Sequence, residues 1–253
     1  MKTVKARGVV LREYEAGESD KRLILLCKGL GKLNVYARGA RKPKSKFMAA
    51  AQLFTYGDYV LSDGGSFQAL AQAEIIENFF TIREDYESLS CAHYIAEICE
   101  KSVLESNPAD DLLLLLLKSL SLLNKKNDRI PAKQIRLVFL FRFFAWYGIA
   151  PETESCSVCG GQVQPAGEMP EGENARIPFA DEGICCPKCG GKKTRKTFLS
   201  PAGLEALRHI LNAGLPESFQ FKASGRVTAE LSAGGKLFWE SHFQTKLRSE
   251  EFL

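Results

Sequence analysis

The stretch LFTYGDYVLSDGGSFQALAQAEII, residues 53–76, contains a strong hairpin signal. Two runs with the composition of strands flank the turn sequence Ser62-Asp63-Gly64-Gly65. Asp-Gly and Gly-Gly pairs favour the backbone conformations of tight hairpin turns. Three further strand-like runs precede this hairpin, namely VKARGVVLREY (4–14), LILLC (23–27) and KLNVYAR (32–38).

Five short antiparallel strands within about 80 residues can close into a small Greek-key barrel of the oligonucleotide/oligosaccharide-binding (OB) type. An SH3-like barrel fits the same strand count almost as well. The one long connection lies between the third and fourth strands and is strongly basic. We expect an OB-type domain over residues 1–80.

The apolar spacing becomes helical from Asp85 onwards. The fold class is therefore α+β, with the five-stranded OB-type β-barrel followed by an all-α C-terminal domain over 81–253. A cysteine-rich insert at about 151–197, which we expect to be loop-like, interrupts this domain. Proline at helix starts and glycine after helix ends support the assignments. The predicted helices cover about 86–103, 112–123, 131–148, 201–213 and 228–248, the last including Phe243 and Leu247.

The insert contains two matching knuckles, CSVCGG (156–161) and CPKCGG (186–191). A CxxC turn directs two thiolates at one ion, and two such turns supply the four sulfurs of a tetrahedral zinc site. The predicted ligands are Cys156, Cys159, Cys186 and Cys189. Four thiolates close the coordination shell, so the zinc is expected to be structural rather than catalytic.

Two alternatives apply to these cysteines. They could form a redox dithiol or have no shared role, although a redox CxxC normally occurs once, beside a βαβ unit. Cys185 could also replace Cys186 as a ligand, against the CxxC spacing. Cys27, Cys91 and Cys99 lie in apolar segments and are expected in the core.

The net charge of +4 hides a strong asymmetry along the chain. Residues 1–50 carry 13 basic and 4 acidic side chains (+9), residues 51–130 carry 6 and 13 (−7), and residues 131–253 carry 15 and 13 (+2). Such a distribution indicates one basic face suited to polyanions and one acidic face.

The basic loop, residues 38–46, is the densest source of positive charge. It contains five cations and no acid: Arg38, Arg41, Lys42, Lys44 and Lys46. Gly39 and Pro43 disfavour a helix, so we expect an exposed loop that contacts phosphates with steep salt dependence. An ordinary solvated loop is the alternative. Tyr36 and Phe47, which flank the run, could stack on unpaired bases, but Phe47 is better explained as a core residue.

Several classes of protein are disfavoured. The sequence contains no GxxxxGK[ST], GxSxG or HExxH motif, which argues against an enzyme. No targeting signal opens it, and the longest apolar runs are too short to cross a bilayer. We therefore expect a cytoplasmic, nucleoid-associated protein without a membrane span.

Three segments together resemble one family: GLGKLNVYARGARKPKSKF (29–47), the CSVCGG and CCPKCGG knuckles, and the terminal LRSEEFL (247–253). The chain resembles the bacterial RecO family of recombination mediators in DNA repair. The resemblance implies an OB fold, a helical domain and a zinc site. It also implies binding and annealing of single- and double-stranded DNA. The five loop cations would contact DNA and the four cysteines would bind zinc.

The resemblance further implies partners. With RecR, and in some cases RecF, such proteins help to load RecA onto DNA coated by single-stranded-DNA-binding protein (SSB), and they contact the SSB C-terminal tail. A surface with Arg136 or Arg142 beside aromatic residues would suit that tail. The alternative function is a zinc-ribbon adaptor that acts mainly through protein–protein contacts. A hydrolase is a third possibility that the missing motifs disfavour.

Overall fold

The structure is a computed structural model that describes residues 3–62, 67–125, 130–163 and 176–252. The chain forms two compact units. The first contains residues 1–126 together with 249–253, and the second contains residues 127–248.

The first unit is built on a closed five-stranded barrel with the order β1-β2-β3-β5-β4. Because β4 returns to lie beside β1, the connectivity is a Greek key, and the predicted OB-type barrel is confirmed over the SH3-like alternative. The predicted hairpin pairs β4 with β5 in antiparallel fashion, while its turn residues 63–65 lie outside the described residues. The strands are β1 Thr3–Ala16, β2 Asp20–Cys27, β3 Gly31–Ala37, β4 Tyr56–Ser62 and β5 Gln68–Glu77.

The long first strand is shared between two neighbours. Its N-terminal half pairs with β4 and its C-terminal half with β2, and an irregularity between Val10 and Arg12 bends the strand between them. The barrel closes through a short parallel contact in which Val35 of β3 lies opposite Gln68 of β5. A bridge between Lys32 and Glu105 occupies another part of β3.

The connection between β3 and β4 closes one part of the barrel core. Consecutive turns run through it, and Ala40, Phe47, Ala50 and Ala51 are all buried among the barrel side chains. Phe47 is therefore a core residue, as predicted. Burial of such a side chain contributes about 2 kcal/mol to folding, so the connection is fixed to the barrel.

Two helices follow the barrel and pack against it. A 3₁₀ helix, Phe80–Glu84, leads to α1, Tyr86–Ser102, and then to α2, Asp110–Asn124. Helix α1 packs against β1 and β2, and α2 packs against β2. Residue 80, where we expected the domain boundary, marks the change from strands to helices. The compact units instead divide at residue 126. The difference arises because α1 and α2 both bury apolar faces on the barrel side and so belong to the first unit.

The second unit is organised around α3, whose Phe, Leu and Val side chains are buried on nearly every side. Helices α5 and α6 pack against it, and a three-stranded sheet with the order β7-β6-β8 packs against α6. The cysteine-rich insert was expected to be loop-like, but it contains this sheet and a short helix. The elements are α3 Ala132–Tyr147, β6 Ile177–Ala180, β7 Gly183–Ile184, α4 Pro187–Gly191, β8 Lys196–Leu199, α5 Pro201–Asn212 and α6 Gly225–His242.

The last predicted helix was misplaced at both ends. It begins at Gly225 because the Ser224 side chain caps it, accepting a hydrogen bond from the Val227 amide. It ends at His242, after which Phe243 has extended backbone and stacks on Trp239 with ring centroids 4.2 Å apart. Phe243 and the buried Leu247 therefore lie beyond the helix that was predicted to carry them.

The apolar runs at 112–117 and 137–147 form largely buried helical faces. Within the described ranges, every helix is either too short or too polar to cross a bilayer.

Candidate nucleic-acid interface and metal centre

The basic loop is held in a defined conformation while its charges face solvent. Each of its five cationic residues is exposed, whereas Ala37, Ala40 and Phe47 beside them are buried. Gly39 adopts a left-handed conformation (φ 65°) that allows the chain to turn directly after β3. The loop therefore presents its cations from a fixed backbone.

Only one of the five cations is paired within the described part of the chain. Arg41 lies 3.1 Å from the Glu15 carboxylate and donates to the Gly17 carbonyl at 3.3 Å. Lys46 donates to the Ala71 carbonyl at 3.4 Å and lies 4.9 Å from the centre of the Phe47 ring. Arg38, Lys42, Lys44 and Lys46 form no ion pair with any described carboxylate. Most of the charge is thus available to an external anion.

Asp20 fixes the start of the loop and was missed by the sequence reasoning. One oxygen of its carboxylate accepts a hydrogen bond from the Gly39 amide at 2.7 Å, and the other accepts from the Tyr36 hydroxyl at 2.8 Å. The Gly39 amide, and then the Tyr36 hydroxyl, lower the pKa of Asp20 below its ordinary value. In sequence, Asp20 looks like a common turn residue, since its partners lie 16 and 19 positions away.

The four predicted zinc ligands lie together in the second unit. The Sγ atoms of Cys156, Cys159, Cys186 and Cys189 all lie within 4.8 Å of one another. Cys159 and Cys186 are 4.0 Å apart at sulfur, about twice the length of a disulfide bond. The arrangement is positioned to hold one metal ion, and all eight cysteines are free thiols.

Glycines next to the knuckles explain the local backbone. Gly160 follows the first knuckle with φ 70°, and its amide donates to the Cys156 carbonyl. At Gly190, a Cβ atom would overlap the Pro178 ring of β6, so the second knuckle needs glycine for close packing. Cys186 caps α4 by accepting from the Cys189 amide. Both knuckles are thereby fixed beside the small sheet.

The thiols of the cluster differ in acidity. Burial raises the pKa of Cys156, but amide donors, led by that of Cys186, outweigh burial and lower it to about 6. Hydrogen bonding with Cys186 and Cys159 raises the pKa of Cys189 to about 12. Cys156 therefore loses its proton more readily than Cys189 does, which favours the thiolate form that a metal ligand requires.

Cys185 lies outside this cluster. Its thiol is buried and donates to the Gly183 carbonyl, with Ser157 Oγ 3.6 Å away. Burial raises its pKa. The positions of the sulfur atoms thus agree with the CxxC spacing, which selects Cys186 rather than Cys185 as a ligand. Cys27, Cys91 and Cys99 are buried, as expected.

A second basic run, KKTRK (192–196), is mostly engaged within the chain. Lys193 pairs with Glu182 at 2.6 Å and Arg195 with Glu240 at 2.8 Å. Lys196 donates to the Gly190 carbonyl at 2.8 Å. This run therefore offers less charge to a ligand than the basic loop does.

The two arginines suggested for an acidic peptide also have contacts within the second unit. Arg142 donates to the carbonyls of Leu211 and Ala213 at 3.0 and 3.1 Å, at the C-terminal end of α5. Arg136 donates to the Ser232 hydroxyl at 3.2 Å. The Arg142 guanidinium thus stabilises a helix end, which leaves it less suited to a peptide carboxylate.

Comparison with known proteins gives consistent matches along the chain. The family model "Recombination protein O N terminal" matches residues 1–79, and "Recombination protein O C terminal" matches residues 83–251. A protein of Acetivibrio thermocellus named DNA repair protein RecO is 31% identical over all of this chain and 97% of its own length. Proteins with the same name from Bacillus pumilus and Bacillus subtilis are 31% and 29% identical, over 99% and 98% of this chain and 93% of each relative.

Proposed function

The chain belongs to the RecO family of DNA repair proteins, and from this membership we propose that it is a non-enzymatic recombination mediator. It binds single- and double-stranded DNA and anneals complementary strands. With RecR, and in some cases RecF, it helps to load RecA onto SSB-coated single strands, and it contacts the SSB C-terminal tail.

The observation that carries this proposal is the basic loop. Arg38, Lys42, Lys44 and Lys46 are exposed on a fixed backbone, and none of them forms an ion pair with a described carboxylate. Cations placed in this way displace the counterions condensed on nucleic acid, which gives sequence-independent affinity. Arginine can also contact a phosphate through two donors, while lysine acts as a point charge.

Annealing follows from this charge without any bond chemistry. Two complementary strands repel each other through their phosphates, and the loop lowers that repulsion by neutralising part of the charge. Because the loop contacts the backbone rather than the base edges, the bases stay available for pairing. The protein raises the local concentration of strands and leaves recognition to the bases.

The four-cysteine cluster holds a structural zinc ion in this proposal. Cys156, Cys159, Cys186 and Cys189 supply four sulfurs, the donor set that closes a tetrahedral zinc shell. When bound, the ion would cross-link the two knuckles beside the small sheet. It would stabilise the second unit without taking part in a reaction.

A salt titration of strand annealing tests the proposal. The variant Arg38→Glu with Lys42→Glu should abolish annealing at salt concentrations where the wild type is active, and should bind single strands at least about tenfold more weakly. Lys133→Glu with Lys222→Glu is the matched control, since both lysines are exposed in the second unit and the net charge changes equally. Unchanged annealing by the loop variant would contradict the proposal, and retained repair in cells would then favour the protein–protein adaptor.

A further inference from the structure

A row of outward-facing side chains crosses three strands of the barrel beside the basic loop. Tyr14 of β1 lies opposite Arg22 of β2, and Arg22 lies opposite Tyr36 of β3. Cross-strand partners share one face of a sheet. The adjacent Leu23 and Val35 are buried in the barrel, so the row faces outward.

Aromatic rings hold the arginine at the centre of the row. The Arg22 guanidinium carbon lies 4.8 Å from the ring centre of Phe67 and 5.7 Å from that of Tyr14. Arg22 is exposed and forms no ion pair with a described carboxylate, and the Tyr14 side chain is 37% exposed. Phe67 and Tyr36 are half-buried.

Two carboxylates border this row, and both are engaged. Asp20 accepts hydrogen bonds from the Tyr36 hydroxyl and the Gly39 amide. Glu100 of α1 accepts from Arg12 at 3.0 Å and from the Tyr14 hydroxyl at 3.4 Å. Neither carboxylate pairs with Arg22. The row therefore combines aromatic rings with one cation that forms no ion pair with any carboxylate in the described part of the chain.

The row is continuous with the basic loop. β3 ends at Ala37, and Arg38 opens the loop directly after it with an exposed side chain. The Tyr36 hydroxyl and the Gly39 amide both donate to the Asp20 carboxylate, so the end of the row and the start of the loop are held together. A polymer that lies along this face would meet rings first and phosphate-binding charges next.

We propose that Tyr14, Arg22, Tyr36 and Phe67 form a stacking platform for unpaired nucleobases of single-stranded DNA. This deepens the proposed function, on which it rests, because it adds base contacts to the phosphate contacts of the loop. Aromatic rings and guanidinium planes are the groups on which proteins stack unpaired bases, without regard to sequence. In a duplex the bases are stacked on each other, so a duplex meets the loop charges alone.

Two substitutions at Tyr14 distinguish the contribution of its ring to DNA binding from that of its hydroxyl. Binding is measured for three probes: a 15-nucleotide thymidine strand, an abasic strand of equal length, and a 15-base-pair duplex. Tyr14→Leu should weaken binding of the thymidine strand about tenfold and leave the other two probes unchanged. Tyr14→Phe keeps the ring and loses the hydrogen bond to Glu100, so it should restore the preference for the thymidine strand over the abasic strand that Tyr14→Leu loses.

Arg22→Lys provides an independent measurement in case Tyr14→Leu alters the fold, which thermal unfolding will show. This variant keeps the positive charge and loses the planar guanidinium group. It should therefore weaken binding of the thymidine strand more than binding of the abasic strand or the duplex. The platform proposal is wrong if Tyr14→Leu, Arg22→Lys and the wild type bind the thymidine strand equally well. An equal loss on the thymidine and abasic strands also overturns it. If the wild type binds none of the probes, the proposed function itself fails, so the two failures are distinguishable.

Discussion

The carboxylate of Glu97 accepts two hydrogen bonds from Ser249, which lies 152 positions further along the chain. The Ser249 amide donates at 2.9 Å and its hydroxyl at 2.6 Å, and Lys101 lies 2.8 Å from the other carboxylate oxygen. Glu97 is only 9% exposed. One helical glutamate thus fixes Ser249, at the start of the C-terminal segment, to the unit that contains the barrel.

The first prediction concerns this contact. Glu97→Ala should lower the free energy of unfolding by about 2 kcal/mol, because it removes a buried charged acceptor and leaves the Ser249 amide without it. Urea denaturation measures the loss. In a double-mutant cycle with Ser249→Ala, the two losses should be non-additive by about 1 kcal/mol. Strict additivity would show that the cost of Glu97→Ala arises elsewhere.

The second prediction concerns the start of the basic loop. The pKa of Asp20 is lowered in the folded state, chiefly by the Gly39 amide, so its stabilising effect is present above its ordinary pKa of 3.8. This effect is lost as the pH falls through the lowered native value. Asp20→Asn should therefore be less stable than the wild type at pH 7, and the difference should narrow below about pH 4.

Urea unfolding at pH 7, 4.5 and 3.5 measures the Asp20 effect. Glu18→Gln is the control, since Glu18 is an exposed carboxylate in the same turn. A difference between wild type and Asp20→Asn that is independent of pH would show that the carboxylate charge does not matter.

The third prediction separates paired from unpaired loop cations. Replacing Lys42 and Lys44 together by Gln should reduce the slope of log affinity against log salt by about 1.4 for single strands, about 0.7 per phosphate contact. Arg41→Gln should change it by less than about 0.7, because Glu15 already neutralises part of its charge. Fluorescence anisotropy between 50 and 200 mM salt provides the slopes. A larger effect of Arg41→Gln than of the double variant would contradict this assignment.

The fourth prediction concerns the metal centre. The purified wild type should carry about one zinc ion per chain, and Cys189→Ser should carry almost none after dialysis against a mild chelator. Its thermal unfolding midpoint should also fall, since the knuckles lose their cross-link. Cys185→Ser should keep its zinc, because this thiol is hydrogen-bonded to the Gly183 carbonyl outside the cluster. Loss of zinc from Cys185→Ser would contradict the placement of this thiol outside the cluster.

Patterns of neighbouring residues in the sequence were enough to predict most of the individual strands and helices. The five strands, the hairpin pairing and the positions of α1, α2, α3 and α5 follow from turn residues and apolar spacing. The knuckle spacing was enough to select Cys186 over Cys185. Phe47 was assigned to the core because a small barrel needs large side chains to fill it.

The remaining features depend on contacts between distant positions. Nothing near Asp20 shows that it will bind Gly39, and nothing near Glu97 shows that Ser249 will reach it. The packing of α1 and α2 with the barrel moves the boundary between compact units well beyond the last barrel strand. The register of β1, β2 and β3 makes neighbours of Tyr14, Arg22 and Tyr36. An irregularity between Val10 and Arg12, which the sequence did not reveal, shifts the register between β1 and β2.

The short parallel contact of Val35 with Gln68 has a consequence for how the barrel meets other molecules. This contact joins β3 to β5 and completes the ring of strands. The bridge between Lys32 and Glu105 occupies another part of the same edge of β3. The parallel contact covers only Gln68 and Ala69 of β5, so the edge of β5 over residues 70–77 has no strand partner on that side within the described residues. Backbone pairing with an extended partner peptide is therefore open to this part of β5, while the parts of the barrel that are paired on both sides can contact other molecules only through side chains on its outer surface.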